Sequence, residues 1–213
     1  MLRTIELDPG TWLQHDSAWL EPEEADRLLS DLVAEVRWEE RPIYAFGKAI
    51  MQPRLIGWAG DLPYRYSGQT LPPRAWTPAL RRLHAAVEEA TGQRFNHAML
   101  NRYRDGNDHV SMHADNEPEL GQDPIIASVS LGATRRFVIQ FKRKRGRKRS
   151  YRLRHGSLLV MGGSFQHRWR HAVPRDPACE AERVNITFRL LHGPPGWRAP
   201  AEHRSMPEGE AQP

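Results

Sequence analysis

The chain has 213 residues, 39% of them hydrophobic and 27% charged, with seven tryptophans, which suits one medium domain with a sizeable core. No apolar run reaches the roughly 18–20 residues a membrane helix needs, and the opening MLRTIELDPGTW lacks an apolar export segment. The single cysteine, Cys179, excludes an internal disulfide, so the expected compartment is the cytoplasm, or the nucleus in a eukaryotic source.

The net charge of +5 is concentrated in one run, KRKRGRKR: Lys142, Arg143, Lys144, Arg145, Arg147, Lys148 and Arg149. Without these seven charges the chain is slightly acidic. Such a run is most often a solvated face or a targeting tract, but it also suits a phosphate backbone. In chain order, residues 1–20 show no clear period and are expected to be an N-terminal extension. From Glu21, with Pro22 near the start, Ala25, Leu28, Leu29, Leu32, Val33 and Val36 recur at helical spacing. The aromatic- and glycine-rich segment 37–76 predicts hairpins and exposed loops. A second helix follows: Thr77 is its N-cap, Pro78 its first residue, Leu80, Leu83 and Val87 its buried face, and Gly92 its stop.

After Gly92 the period becomes two. Met99, Asn101 and Tyr103 share one strand face; Ile125, Ala127, Val129 and Leu131 alternate with Ile126, Ser128 and Ser130. Phe137, Ile139 and Phe141 lead into the basic run and Tyr151 and Leu153 lead out, which makes the run a hairpin tip. Residues 157–161, SLLVM, form a buried strand, and 183–191, RVNITFRLL, a long one. From Gly193 the chain is rich in Pro, Gly and Glu, and residues 193–213 are expected to be disordered. Two helices followed by many short strands imply an α+β protein with a sandwich or barrel core, jelly-roll by preference.

The last strand is unusual. Val184, Ile186, Phe188 and Leu190 take one side; Arg183, Asn185, Thr187 and Arg189 take the other. A solvent-facing edge is the ordinary explanation. The alternative is an anion site, with two guanidinium forks about 20 Å of strand apart gripping both ends of a small dicarboxylate. In SMHADNE, His113 and Asp115 project to the same side of an extended segment. A third histidine would complete a 2-His-1-carboxylate triad, which leaves open positions on a non-heme Fe(II). His155, His167, His171 and His192 compete for that place. His171 fits best: it follows a buried strand and a Gly162–Gly163 turn, on a strand expected to lie beside the arginine strand. His167, near Trp169, is the competitor.

Four segments, NRYRDGNDHVSMHADNE, IASVSLGATRRF, HGSLLVMGGSFQHRWRHAVP and RVNITFRLL, resemble the AlkB-type Fe(II)/2-oxoglutarate dioxygenases. FGKAIMQPRLIGWAGDLPYRYSG resembles the substrate-recognition loops of members that act on duplex DNA. The resemblance implies a double-stranded β-helix (jelly-roll) core within a single domain, 21–192, flanked by N-terminal helices, with substrate-recognition hairpins in 37–76. It implies His113, Asp115 and His171 as iron ligands, and Asn101, Tyr103, Arg183, Asn185 and Arg189 as the 2-oxoglutarate site. Glu117 takes the place of a carboxylate that contacts the damaged base; Trp58, Tyr66 and Arg54 fall among the substrate-contacting residues; and Phe46 matches a residue that wedges into the duplex. The departure is Ser111–Met112, where the family pattern has a small residue and then Trp. The implied reaction uses Fe(II), 2-oxoglutarate and dioxygen (O2) to demethylate 1-methyladenine- or 3-methylcytosine-type bases in DNA, releasing formaldehyde. That is alkylation repair by a monomer, with single- or double-stranded DNA, or RNA, as partner. The rival readings are the same chemistry on RNA, protein or a small molecule, and a non-catalytic nucleic-acid-binding module.

Overall fold

The alternation after Gly92 becomes the ladders of two antiparallel sheets in the structure, a computed structural model that describes residues 1–45, 48–66, 68–143 and 147–193. The elements run β1 (Arg3–Asp8), β2 (Thr11–Asp16), α1 (Pro22–Glu35), β3 (Pro42–Ala45), β4 (Lys48–Met51), β5 (Leu55–Gly60), β6 (Tyr64–Tyr66), β7 (Gln69–Leu71) and α2 (Pro78–Thr91). There follow β8 (His97–Tyr103), β9 (Val110–His113), β10 (Ile126–Gly132), β11 (Arg135–Phe141), β12 (Lys148–Leu153), β13 (Ser157–Gly163), the one-turn α3 (Phe165–Arg168), β14 (Trp169–Val173) and β15 (Arg183–Arg189). A seven-stranded sheet has the order β1-β2-β13-β10-β15-β8-β5, and a four-stranded sheet the order β12-β11-β14-β9. Two hairpins, β3–β4 and β6–β7, stand apart.

Helix α2 starts where its caps dictate. The Thr77 hydroxyl accepts from the Leu80 amide at 3.3 Å, and Gly92, at φ 64°, closes the helix in the left-handed region that glycine enters freely. The apolar faces of α1 and α2 cover the outside of the large sheet, packing Leu28, Leu32, Leu80, Leu83 and Val87 against Val129, Leu158, Val184, Ile186 and Phe188. A second core lies between the sheets, where Leu13, Ile126, Leu159 and Met161 meet Phe137, Ile139, Trp169 and Val173. The result is the expected α+β jelly-roll with helices on one flank. Among the described residues no helix is long and apolar enough to cross a membrane.

Two expectations need correction. Residues 1–20 are no extension: β2 pairs with β13, and β1 pairs with β2, inside the large sheet. Their period was hidden because β2 is covered on both faces, Trp12 packing toward the helices and Leu13 between the sheets. The boundary at residue 21 is therefore not a structural one. Segment 37–76 supplies the two hairpins, but also β5, a buried strand paired along its length with β8. Gly162 and Gly163 end β13 rather than forming a turn, and a Cβ on Gly162 would lie 2.1 Å from the Trp12 ring, so that close approach requires glycine. The expected disorder of 193–213 falls, beyond Gly193, outside the described residues.

Strand β15 lies between β10 and β8 and is buried along its whole length. Its even residues face the helices, and its polar odd residues face the space between the sheets. The solvent-edge explanation is thus excluded.

Candidate active site

His113 closes β9, and the cross-strand ladder sets it opposite His171 on β14, with ring centroids 4.2 Å apart. Asp115, two residues on, completes a group whose ligand atoms all lie within 4.8 Å of one another. His171 is therefore not beside the arginine strand. Helix α3 carries the chain from the large sheet to the small one, so β14 pairs with β11 and β9, and His171 faces β15 across the sandwich. His167 is half-exposed, with its ring nitrogen 3.5 Å from an Asp123 carboxylate oxygen.

The surroundings prepare each ligand. His113 Nδ1 donates to the Ser111 carbonyl at 2.8 Å, which leaves Nε2 as the lone-pair nitrogen, 3.5 Å from Asp115 Oδ1. Ser111 thus contributes through its backbone, and Met112 is half-buried in the stretch where the β9–β14 register shifts, between Val110 and His113. The Asp115 amide donates to Gln166 Oε1 at 3.0 Å, and its Oδ2 accepts from Arg189 Nη2 at 2.9 Å. Burial opposes the Asp115 charge, but Arg189, His171 and His113 together hold its carboxyl well below the usual carboxylate range. Burial, reinforced by His113, pushes His171 down to about 3, so its imidazole is neutral at ordinary pH. One ionised carboxylate and a neutral imidazole with a buried, unpartnered Nδ1 are what a divalent metal requires.

Next to this group is a cavity lined by Asn101, Tyr103, Arg183, Asn185, Thr187 and Arg189. Register brings them together, Arg183 opposite Tyr103 and Asn185 opposite Asn101. Arg183 is fully buried; it donates to Ser130 Oγ (2.9 Å) and sits against Tyr103, yet its Nε and Nη1 have no partner among the described residues. Arg189 likewise keeps Nε and Nη1 unpartnered beyond its pair with Asp115. Asn185 spends both amide hydrogens on Ser128 Oγ and the Val129 carbonyl. A buried guanidinium without acceptors is costly, and an anion with a carboxylate at each end would satisfy both arginines. The residues present fit 2-oxoglutarate as they fit iron.

A cleft of about 510 Å³ opens over the His113–Asp115 side, walled by Ile50, Met51, Arg54, Tyr66 and Glu117. Burial, then the charge of Asp115, raises the Glu117 carboxyl above its ordinary value, and among the described residues its Oε2 has no hydrogen-bond partner within 3.5 Å. Arg54 separates cleft from cavity, donating to Asn101 Oδ1 (2.5 Å), the His109 carbonyl (3.2 Å), Gln52 Oε1 (2.8 Å) and the Tyr66 hydroxyl (2.9 Å). Trp58 does not join the cleft. It is 2% exposed, its Nε1 donates to the Pro72 carbonyl, and it is covered by the guanidinium of Arg74 at 3.4 Å and of Arg41 at 5.0 Å. Glu39 holds both arginines at 2.7 Å. Trp58 packs with Tyr64 and Leu71 of the β6–β7 hairpin. Trp58→Ala is accordingly expected to lower stability by about 3–5 kcal/mol in urea unfolding, with the metal affinity of the folded fraction unchanged.

The basic run is not a uniform tip. Lys142 Nζ donates to the Gln166 carbonyl at 2.7 Å, and Arg147 bonds the Leu7 carbonyl and lies over Phe141 and Trp169. Both are tethered because the run leaves and re-enters the small sheet at these points. Arg143, and Lys148 and Arg149 on β12, are exposed. Lys144, Arg145 and Phe46 lie outside the described residues. Sequence reasoning passed over Tyr64, buried with Arg189 5.6 Å over its ring, and Gln166, which orients Asp115. The paired tyrosines of PYRYSG were the available signal for the first; nothing local marked the second.

The sequence model of the 2OG-Fe(II) oxygenase superfamily matches residues 13–189. The chain belongs to that superfamily. Within it, the chain is of the AlkB type. It is 40% identical over 186 residues to the human (Homo sapiens) alpha-ketoglutarate-dependent dioxygenase alkB homolog 3, covering 83% of this chain and 65% of that protein. It is 42% identical over 180 residues to human DNA oxidative demethylase ALKBH2 (79% and 69% covered), and 34% over 217 residues to the Arabidopsis thaliana protein of that name (89% and 69%). The chain spans just under two thirds of the length of the alkB homolog 3 relatives. The solved structure of OsALKBH1 superimposes with a TM-score of 0.60 at 16% identity, over 88% of this chain and 100% of that one, which supports the fold. Fe(II) and 2-oxoglutarate are the groups for which the superfamily is named.

Proposed function

We propose that this AlkB-type protein is an Fe(II)/2-oxoglutarate-dependent dioxygenase that removes N-methyl groups from 1-methyladenine- and 3-methylcytosine-type bases in DNA. The observation that carries this is one His113–Asp115–His171 group, with Asp115 and His171 buried, bordering both a cationic cavity and a carboxylate-lined cleft. Relatives named DNA oxidative demethylase support DNA as the substrate.

His113, Asp115 and His171 would hold the iron, and the chemistry it would supply is oxidation of 2-oxoglutarate by dioxygen to succinate and CO2 with hydroxylation of the alkyl carbon. The hydroxymethyl amine then loses formaldehyde and the base is restored. Arg183, with Tyr103 and Asn101, holds the distal carboxylate; Arg189 serves the iron end, where it already grips Asp115. Glu117 faces the base in the cleft and hydrogen-bonds its polar edge. The target atom is hidden in a duplex, so the base must be extruded at a cost of a few kcal/mol, less for a lesion that cannot pair. The protein works as a monomer where nucleic acid is present: the cytoplasm of a prokaryote, the nucleus of a eukaryote.

The test is incubation with Fe(II), 2-oxoglutarate and 1-methyladenine in duplex DNA, single-stranded DNA or RNA. Restored base in the DNA arms is the expected result; no restoration on any nucleic acid would refute the substrate assignment. Exposed Lys148 and Arg149 are expected to contact phosphates without reading sequence. Alanine at both should flatten the plot of log affinity against log salt by about 0.9 per lost contact, measured by fluorescence anisotropy on a duplex.

A further inference from the structure

One buried arginine takes no part in the scheme above. Arg135, at the start of β11, is 1% exposed, and its guanidinium gathers four backbone carbonyls. Nη1 donates to Asp105 (3.0 Å), and Nη2 is shared among Gly106 (3.3 Å), Asp108 (2.9 Å) and Pro174 (2.9 Å). The first three lie in the loop between Tyr103 and β9; Pro174 opens the loop that joins β14 to Arg183. One side chain therefore ties together the connections flanking Tyr103, His113, His171 and Arg183.

Its charge is as informative as its hydrogen bonds. The Arg135 guanidinium lies 5.6 Å from the Tyr103 ring centroid, and that of Arg183 lies 5.1 Å from the same centroid. Among the described residues neither arginine forms an ion pair with a carboxylate within 4.0 Å. The buried Asp108 carboxylate, which Arg104 holds at 2.8 Å, offsets part of the Arg135 charge; two buried cations at one tyrosine still leave a positive potential that solvent does not screen. Burial lowers the Arg183 pKa, Tyr103 raises it and Arg135 lowers it, so the second cation adds to the cost of burying Arg183. A bound dianion relieves that cost; a monoanion carried at the iron end does not.

We infer that Arg135 is a positioning residue for the co-substrate, fixing Tyr103 from behind and adding the second buried charge by which the cavity prefers a dicarboxylate to a monocarboxylate. The inference rests on reading this cavity as the 2-oxoglutarate site. It predicts a selectivity, not merely a stability.

The experiment compares binding of 2-oxoglutarate with that of 2-oxovalerate, which has the same five carbons but no distal carboxylate. Calorimetry without oxygen, on wild type, Arg135→Met and Arg135→Lys loaded with Mn(II), gives the ratio of the two affinities. Wild type should prefer the dicarboxylate strongly. Arg135→Met should lose on the order of tenfold of that preference, the scale of one charge acting through a partly screened interior. Arg135→Lys keeps the charge but not the fork, and should keep the preference within about twofold while its melting temperature falls. A purely structural clamp would change the melting temperature and leave the ratio alone in both variants, which would overturn the inference. If Arg135→Met does not fold, Arg135→Gln takes its place: it keeps hydrogen-bond donors without the charge and should lose the same tenfold, and an unchanged ratio there would overturn the inference. No binding of 2-oxoglutarate to wild type would instead refute the reading of the cavity.

Discussion

Asp115→Ala is expected to abolish turnover and to weaken metal binding by more than the 10–100-fold typical of losing a residue that merely supports a ligand. It should also destabilise the metal-free protein by about 3–5 kcal/mol, the cost of leaving one member of a buried pair alone. Asp115 Oδ2 is the acceptor 2.9 Å from Arg189 Nη2, and Arg189 is only 4% exposed, so the guanidinium cannot turn to water. The Asp115 carboxyl is held below its unfolded value, so this contribution is complete above about pH 4 and fades only as pH falls through the lower folded value. Asp115→Asn separates the two effects: an amide oxygen can still accept from Arg189, restoring part of the stability, but a neutral ligand should not restore the metal. Urea unfolding of the metal-free variants and Mn(II) titration check both halves.

Arg183→Met is expected to have the opposite pattern. Its affinity for 2-oxoglutarate should fall at least roughly 30-fold, the lower end of what truncating one partner of a buried charge pair costs. Metal affinity should be unchanged, since Arg183 contacts none of the three ligands. The metal-free protein should be as stable as wild type, or more so. Arg183 is fully buried with two unpartnered nitrogens, and replacing such a cation by an apolar chain removes a desolvation penalty. Arg189→Met, by contrast, frees Asp115 and should impair metal and co-substrate binding together. Isothermal titration on the two variants therefore shows which arginine serves which end.

The sequence carried most of the scaffold. Alternation marked β8, β10 and β15, and the Thr77, Pro78 and Gly92 signals placed α2 to the residue. The polar odd positions of β15 were visible, but periodicity alone could not tell a wet edge from a lined cavity. Resemblance to the family decided that, and burial confirms it. Three features were not legible. Strand β1 offers only the Ile5–Leu7 alternation, too short to stand out, and in β2 Trp12 and Leu13 are adjacent because both faces there are covered. The sheet that holds His171 depends on the single turn of α3, too short for any helical period to show. Trp58 was placed with the substrate because aromatics cluster there, yet its ring is clamped by Arg41, Arg74 and Glu39. The Ser111–Met112 departure proves immaterial to ligation. A carbonyl at position 111 orients His113 whatever its side chain, and Met112 lines neither the cavity nor the cleft.

The central claim is that one site oxidises 2-oxoglutarate and demethylates a base in a single coupled event. The most direct measurement is the ratio of formaldehyde to succinate formed from 3-methylcytosine in DNA, for wild type and Asp115→Ala side by side. The account predicts a ratio near one for wild type and neither product from Asp115→Ala. Succinate without formaldehyde on every methylated nucleic acid, or full activity in Asp115→Ala, would contradict it.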